Sequence, residues 1–207
     1  MSAGFRHRKI RRHPPAPHLN ASHEHELKSR LRRAARLRAV FPSIVFPPMA
    51  TYVALIRGVG PTNPNLRNDK LGAVLEGLGC ADIQPVLASG NLVFRSGARS
   101  APVLEKKIEQ AFAAQLGVTT DVIVVSQAEL QALVQQDPFK GAEHGKQWYL
   151  TVTFRKDHQP PIFSKLNRAE MDGPSFMTDL EKRHGKHITT RTWNTVLKIL
   201  AKTQSVA

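Results

Sequence analysis

The order of predicted secondary structure over residues 52–125 constrains the fold of this chain more than any other feature. Apolar periodicity and turn residues divide this stretch into six elements, at residues 52–57, 68–79, 83–88, 92–95, 100–117 and 122–125. They alternate as strand, helix, strand, strand, helix, strand. This order is typical of the split β-α-β plait, the ferredoxin-like arrangement. The sequence therefore predicts an α+β fold with an antiparallel four-stranded sheet and two helices on one face.

Residues that favour turns and helix ends separate these elements. Asn68 and Ser100 stand where helix N-caps belong, and Gly79 and Gly117 follow the last helical residues. Ser89-Gly90-Asn91 lies between two short β-rich runs and predicts a hairpin turn.

Further elements follow the plait. Ser126 and Glu129 form a capping box for a third helix. The alternating run Trp148–Phe154 predicts a fifth strand, with a short strand at 162–166 and a helix at 174–183 after it. A last helix is predicted to begin near Thr189 or Thr190, with a core face formed by Trp193, Val196, Leu197 and Leu200.

The net charge of +14 is unevenly distributed along the 207 residues. Residues 1–49 carry 11 basic and 2 acidic side chains, residues 50–145 carry 8 and 9, and residues 146–207 carry 11 and 5. The charge is therefore concentrated at the two ends. We divide the chain into a basic N-terminal extension at 1–48, a ferredoxin-like subdomain at 49–145 and a second small α+β subdomain at 146–207 that ends in a helix.

Four interpretations fit the basic extension. Its Arg-rich and Pro-rich composition predicts disorder, apart from a weak helix from about Glu24 to Phe41. It could bind nucleic-acid phosphates, lie as an amphipathic helix on an anionic membrane, or serve as an organelle transit peptide. The fourth interpretation, which we prefer, is that the extension is spurious and Met49 is the true start. Pro47-Pro48-Met49-Ala50 leads straight into the first convincing strand.

Composition excludes several classes of protein and site. No apolar run approaches the ~20 residues of a membrane-spanning helix, and the single cysteine, Cys80, excludes an internal disulfide and indicates a reducing, cytoplasmic location. His184 and His187 lack a third ligand, so we predict no metal site. Gly58-Val-Gly60 lacks the third glycine of a dinucleotide fingerprint, and we predict no cofactor.

Three stretches carry a family resemblance when they are taken together: Tyr52–Gly58, Ala88–Phe94 and Thr189–Leu200. They resemble an uncharacterised bacterial family, the domain-of-unknown-function family numbered 1697. The resemblance covers Met49 to about Thr203 and leaves out the first 48 residues. It implies an α+β fold with two plait-like subdomains, and it implies no established activity.

The chain departs from the family in three places. After Arg57-Gly58 the family usually continues with an Asn and a glycine pair, whereas this chain continues with Val59. Thr192 stands where the family usually has Asn. The segment between Phe154 and Pro174 is short, which predicts a truncated second subdomain and puts any cleft shared by the two subdomains in doubt.

The last helix offers the best candidate binding surface. Arg191, Asn194 and Lys198 fall at i, i+3 and i+7 on a polar stripe next to the predicted helix start, where an Arg, an Asn and a Lys can bind phosphate. The alternative is an ordinary solvated helix face, which is the more common role of such a stripe. Arg57 ends a buried strand, and it either joins this site or pairs with a nearby carboxylate.

We therefore predict a small binding protein for an anionic ligand, a nucleotide or nucleic-acid phosphate, held by the basic C-terminal surface. An enzyme is the first alternative, with Ser89, Asn91 and Arg57 around a cleft between the subdomains. No residue has a clear catalytic role in the sequence, because no base is identified that would activate Ser89. The second alternative is a non-catalytic interaction module that forms a homodimer through a sheet edge.

Overall fold

The computed structural model describes Glu26 and residues 48–59, 63–170 and 172–206. The chain divides into two compact units, Met1–Val45 and Phe46–Ala207. The predictions made for residues 1–48 lie outside the described residues, except at Glu26 and Pro48. Everything below concerns the second unit.

The described part of this unit contains seven strands and five helices. The strands are β1 (Ala50–Ile56), β2 (Ala81–Pro85), β3 (Asn91–Ser96), β4 (Val122–Ser126), β5 (Trp148–Arg155), β6 (Ile162–Asn167) and β7 (Ile188–Thr192). The helices are α1 (Asn68–Gly77), α2 (Ala101–Leu116), α3 (Gln127–Gln135), α4 (Gly173–His184) and α5 (Trp193–Gln204). A 3-10 turn at Pro64–Leu66 precedes α1.

The first four strands form the predicted plait. They make an antiparallel sheet in the order β2-β3-β1-β4, with Val53 paired to Val93 on one side and to Val125 on the other. Helices α1 and α2 pack on one face through a cluster that includes Leu71, Ile108 and Phe94. The ferredoxin-like α+β prediction is confirmed.

Both faces of this sheet are covered, which explains why β1 is apolar at successive positions. Ala54 and Ile56 belong to the cluster beneath α1 and α2, whereas Val53 and Leu55 belong to a second cluster. That second cluster contains residues of α3, β5 and α5. A strand that is buried on both faces loses the alternation of a half-exposed strand.

The second subdomain is built on a smaller sheet. Its strands are antiparallel in the order β6-β5-β7. Leu150, Val152 and Phe154 of β5 extend into the same cluster as Val53 and Leu55 of β1. The two sheets therefore share a hydrophobic core.

The start of the last helix was predicted wrongly. Residues Ile188–Thr192 form strand β7, which pairs with β5, and helix α5 begins only at Trp193. β-branched residues such as Thr189 and Thr190 favour extended backbone when a neighbouring strand is available. Thr192, the departure from the family pattern, is the N-cap of α5, and its Oγ1 accepts a hydrogen bond from Thr195 N.

The buried face of α5 also differs from the predicted face. Trp193 and Val196 are buried as predicted, but Leu197 is 39% exposed and Ile199 is buried in its place. Successive helical residues lie about 100° apart, so a face centred on Val196 leaves Leu197 at its margin.

Two of the predicted helix caps differ in detail. Arg67, not Asn68, is the N-cap of α1, and the Asn68 amide donates to Leu87 O at 2.9 Å. Ser100 is the N-cap of α2 without a side-chain cap bond. The capping box of α3 is confirmed, because Ser126 Oγ accepts from Glu129 N and Glu129 Oε2 accepts from Ser126 N.

Carboxylates cover the outer edge of β4. The amide groups of Val122 and Val124 each donate to a glutamate of α2, Glu109 and Glu105, at 2.8 Å. Glu105 is almost fully buried and also pairs with Lys156 at 3.2 Å. Amide groups that already donate to a carboxylate are not available to pair with another strand. This edge is therefore protected against edge-to-edge pairing.

Within the described residues, no helix combines the length and apolar character needed to cross a membrane.

Candidate functional site

Arg191 lies at the centre of a hydrogen-bond network that joins the two sheets. Its Nε donates to Asn91 Oδ1 at 2.5 Å and its Nη2 donates to Ile56 O at 2.9 Å. Its Nη1 donates to Thr189 Oγ1 at 2.7 Å and to Thr190 O at 3.0 Å. A guanidinium has five N–H donors, and the fifth reaches Gly90 O at 3.5 Å. Arg191 is therefore bonded on every side by the protein itself.

The hairpin motif supplies one side of this network. Asn91 is fully buried, and its amide donates to Val86 O and to Ser89 Oγ, at 3.0 and 2.9 Å. Gly90 has φ +70°, and a Cβ at this position would come within 2.9 Å of Val59 Cβ. The turn therefore accounts for Gly90, and the contact with Arg191 accounts for Asn91.

The three stretches that carry the family resemblance meet at this network. The first contributes Ile56 O, the second contributes Gly90 and Asn91, and the third contributes Thr189 and Arg191. These stretches are far apart in the sequence, since Asn91 and Arg191 are separated by 100 residues. Because the three stretches converge there, the end of β1, between the two sheets, is the candidate functional region.

The charge of Arg191 has no carboxylate partner among its hydrogen-bond acceptors, which are an amide oxygen, a hydroxyl and backbone carbonyls. Burial of the guanidinium lowers the pKa of Arg191 to about 10, because removing the cation from water disfavours the charged form. The side chain is nevertheless a cation at neutral pH. It leaves an uncompensated positive charge at this point of the fold.

A cleft of about 790 Å³ opens next to Arg191. It lies between the end of β1, the loop before β4, helix α4 and strand β7. The lining residues are Arg57, Gly58, Asn63, Leu66, Glu109, Val118, Thr119, Thr120, Asp121, Met177, Glu181, Ile188, Thr189, Thr190 and Arg191.

Arg57 is the second cation of the cleft. Its Nη2 donates to Glu181 Oε1 of α4 at 2.6 Å, and its side chain is 37% exposed. This is one bond from a group with five donors, and no other described residue accepts a hydrogen bond from the Arg57 side chain. Arg57 therefore has donors available to a ligand, whereas Arg191 has none.

Each carboxylate of the lining faces a basic side chain. Glu181 pairs with Arg57, Glu109 pairs with Lys156, and Asp121 lies 3.1 Å from His187 Nδ1. Lys156 is shared with the buried Glu105, and His187 balances Asp121 only when it is protonated, so the basic partners do not outnumber the carboxylates. Arg191 takes part in none of these pairs.

One part of the cleft is apolar. Leu66 and Ile188 are buried beneath it, Val118 is half-buried, and Met177 of α4 is exposed. Met177 and Glu181 are four residues apart on α4, so they lie on the same face of the helix. We call the four apolar lining residues, Leu66, Val118, Met177 and Ile188, the apolar strip, and its member Met177 lies one helical turn from the Arg57–Glu181 ion pair.

The structure brings together some of the predicted site residues and separates others. Arg57 and Arg191 both line the cleft. Ser89 and Asn91 lie behind it, in the Arg191 network, and are not among the lining residues.

The placement of Arg191 on a helical stripe with Asn194 and Lys198 is wrong. Arg191 belongs to strand β7, and the other two residues are exposed on α5 and do not line the cleft. The error follows directly from the misplaced helix start, because a strand residue does not continue the angular pattern of a helix.

Met177, Glu181, Asp121 and Thr120 were not predicted as site residues. The i, i+4 spacing of Met177 and Glu181 is visible in the sequence, but the packing of α4 next to β1 is not. Thr120 is tied to the site by its Oγ1, which donates to Arg57 O at 2.7 Å.

Other reactive side chains do not form a site in the described residues. No group of three or more His, Cys, Asp or Glu residues is arranged to hold a metal ion there. Cys80 is buried, and burial raises the pKa of its thiol. Within the same residues, Ser89 Oγ has Asn91 as its hydrogen-bond partner and no imidazole or carboxylate beside it.

Comparison with solved structures supports the fold. The chain is similar to a protein described as "The structure of conserved bacterial protein SP0830 from Streptococcus pneumoniae", with a TM-score of 0.55 and 18% sequence identity. The match covers 76% of this chain and 99% of that protein. At this identity the likeness concerns the fold alone. Comparison with curated proteins found no match.

Comparison with family models tests the resemblance directly. The model described as "Protein of unknown function (DUF1697)" matches residues 49–179. The match includes the first two of the three stretches, and the Thr189–Leu200 stretch lies beyond it. Since more than half of the chain is matched, the chain belongs to the DUF1697 family.

Proposed function

We propose that this protein binds a small anionic molecule in the cleft between β1, α4 and β7. The observation that carries the proposal is the uncompensated charge of Arg191, which is bonded only to neutral acceptors at the cleft wall. A buried cation raises the positive potential of an adjoining cleft, because low-dielectric walls screen it weakly. An anion in the cleft would supply a counter-charge that none of the hydrogen-bond partners of Arg191 provides.

Arg57 would make the direct contact with the anion. Its free donors can bind a phosphate or a carboxylate in bidentate fashion. Glu181 occupies one Arg57 donor at 2.6 Å and so competes with the anion for the same group. The ligand would weaken this ion pair when it binds.

A small molecule fits the cleft better than a nucleic acid does. Arg57 and Arg191 lie in a cleft of bounded volume and not along an extended groove. Trp148, a half-exposed ring, has one face occupied by Lys165 Nζ at 4.3 Å, so that face is not free for a stacked base. We retain the cytoplasmic location as part of this proposal, on the basis of the free thiol of Cys80.

Calorimetric titration of the full chain with inorganic phosphate tests the proposal. We expect saturable binding that Arg57→Gln weakens at least tenfold, since a hydrogen bond to a charged group contributes about 1.5–3 kcal/mol. Glu181→Gln should have the opposite effect and tighten binding, because it removes the competing carboxylate. Lys198→Gln, an equal change of charge on the exposed face of α5, serves as the control.

Two results would count against the cleft. One is no saturable binding of phosphate by the full chain. The other is equal weakening by Arg57→Gln and Lys198→Gln, which would indicate that only net charge matters. A single-stranded oligonucleotide in the same titration distinguishes the small-molecule site from nucleic-acid binding: if it binds and phosphate does not, the proposal is wrong.

A further inference from the structure

We infer that the anion bound in the cleft carries a short apolar body, aliphatic or aryl, that lies on the apolar strip. This inference rests on the proposed function and specifies the class of ligand. A free inorganic anion would use Arg57 but would leave the strip uncovered. An organic phosphate or carboxylate with an apolar body would use both.

Met177 provides the first argument. It is 36% exposed, although Leu180, its neighbour on α4, is buried and anchors the helix to the core. Core packing of α4 therefore does not require an apolar side chain at residue 177. A methionine facing a cleft is a flexible, polarisable surface that adapts to apolar ligands.

The position of the strip provides the second argument. Glu181 is one turn along α4 from Met177, and it bonds to Arg57 at 2.6 Å. Val118 is two residues from Thr120, whose hydroxyl donates to Arg57 O at 2.7 Å. The apolar strip therefore begins within one helical turn of the group that would hold the anion.

The polar groups of the cleft provide the third argument. The lining also carries polar side chains, among them Asn63, Thr119 and Thr190, but a body that lies on the apolar strip meets only the apolar side chains of Leu66, Val118, Met177 and Ile188. Burying a hydroxyl against them without a partner is unfavourable. A body held on the strip itself is therefore favoured as hydrocarbon.

The test compares two phosphate monoesters of equal chain length, propyl phosphate and glycerol 3-phosphate, with inorganic phosphate as the reference. Calorimetry on the full chain gives the three affinities. Each buried CH₂ group should improve affinity about fourfold, so propyl phosphate should bind roughly tenfold or more tightly than glycerol 3-phosphate.

The matched variants are Met177→Gln and Leu197→Gln. Both replaced side chains are large, apolar and similarly exposed, at 36% and 39%, but Leu197 is not in the cleft. Met177→Gln should reduce the preference for propyl phosphate severalfold and should alter the affinity for inorganic phosphate by a smaller factor. Leu197→Gln should change neither quantity.

The outcomes separate this inference from the proposal beneath it. If inorganic phosphate binds and glycerol 3-phosphate binds as tightly as propyl phosphate, the inference of an apolar body is wrong, whereas the proposed anion site is supported. If Met177→Gln leaves the preference intact, the strip is not the contact and the inference is overturned. If none of the three phosphates binds, the proposed function itself has failed.

Discussion

Arg191 and Lys198 are separated by seven positions in the sequence, yet the structure places them in opposite environments. Arg191 is held on every side by Asn91, Ile56, Thr189 and neighbouring carbonyls, between two sheets. Lys198 is exposed on α5 and makes no hydrogen bond or ion pair within the described part of the chain. The change from strand β7 to helix α5 at Trp193 separates the two. A basic residue therefore acquires its role from the element that carries it, and not from its charge alone.

The largest expected effect comes from removing the Arg191 guanidinium. Arg191→Met keeps most of the apolar stem but leaves Asn91 Oδ1 and Ile56 O without their donors. An unpaired buried polar group costs about 1–3 kcal/mol, so the free energy of unfolding should fall by about 4 kcal/mol for the two acceptors. Urea denaturation of the full chain, followed by circular dichroism, measures this change.

Lys198→Met is the matched control, and Arg191→Lys separates charge from hydrogen bonding. Arg191→Lys keeps the charge but has three donors in place of five, so its stability should fall between those of the wild type and Arg191→Met. If Arg191→Met leaves stability unchanged or raises it, the desolvation of the charge outweighs the hydrogen bonds, and Arg191 is retained for function alone.

The second prediction concerns the hairpin that receives Arg191. Gly90→Ala would strain a residue at φ +70° and place a Cβ 2.9 Å from Val59 Cβ and 3.1 Å from Ile56 O. Gly79→Ala is the matched control, because Gly79 has φ +79° and open space around it. Left-handed backbone costs a non-glycine residue about 1–2 kcal/mol.

Gly79→Ala should therefore lower the free energy of unfolding by about 1 kcal/mol, and Gly90→Ala should lower it by about 2–3 kcal/mol once the contacts with Val59 and Ile56 are included. Val59→Ala in the Gly90→Ala background should restore part of the loss. Equal losses at the two glycines in urea denaturation would indicate that backbone strain accounts for everything and that the close approach contributes nothing.

The comparison also shows how far the sequence determines this protein. The plait follows from local patterns: apolar periodicity, turn residues and caps placed six elements in an order that is typical of one topology. The capping box at Ser126 and Glu129 was predicted correctly because it spans only four residues. The sequence indicated that Arg57 could pair with a carboxylate. It could not identify Glu181 as the partner, because the two residues are 124 positions apart.

The site was harder to predict because it depends on contacts between distant segments. No local pattern links Asn91 to Arg191, which are 100 residues apart. The pairing of β7 with β5 overrides the helical periodicity that the last segment also satisfies. A difference of three or four residues in a helix start was enough to assign Arg191 to the wrong surface.

The smallest expected effect concerns Lys198 and the exposed face of α5. Asn194→Ala with Lys198→Ala removes both remaining members of the predicted stripe from an exposed helix face. Exposed substitutions of this kind usually change stability by no more than about 0.5 kcal/mol, and alanine is a favourable helix residue.

We also expect the affinity of the double variant for inorganic phosphate to stay within about twofold of the wild type. Neither side chain lines the cleft, and an exposed charge is screened beyond a Debye length of ~8 Å at physiological ionic strength. If this double variant abolished phosphate binding while Arg57→Gln did not, the outer face of α5 and not the cleft would be the binding surface.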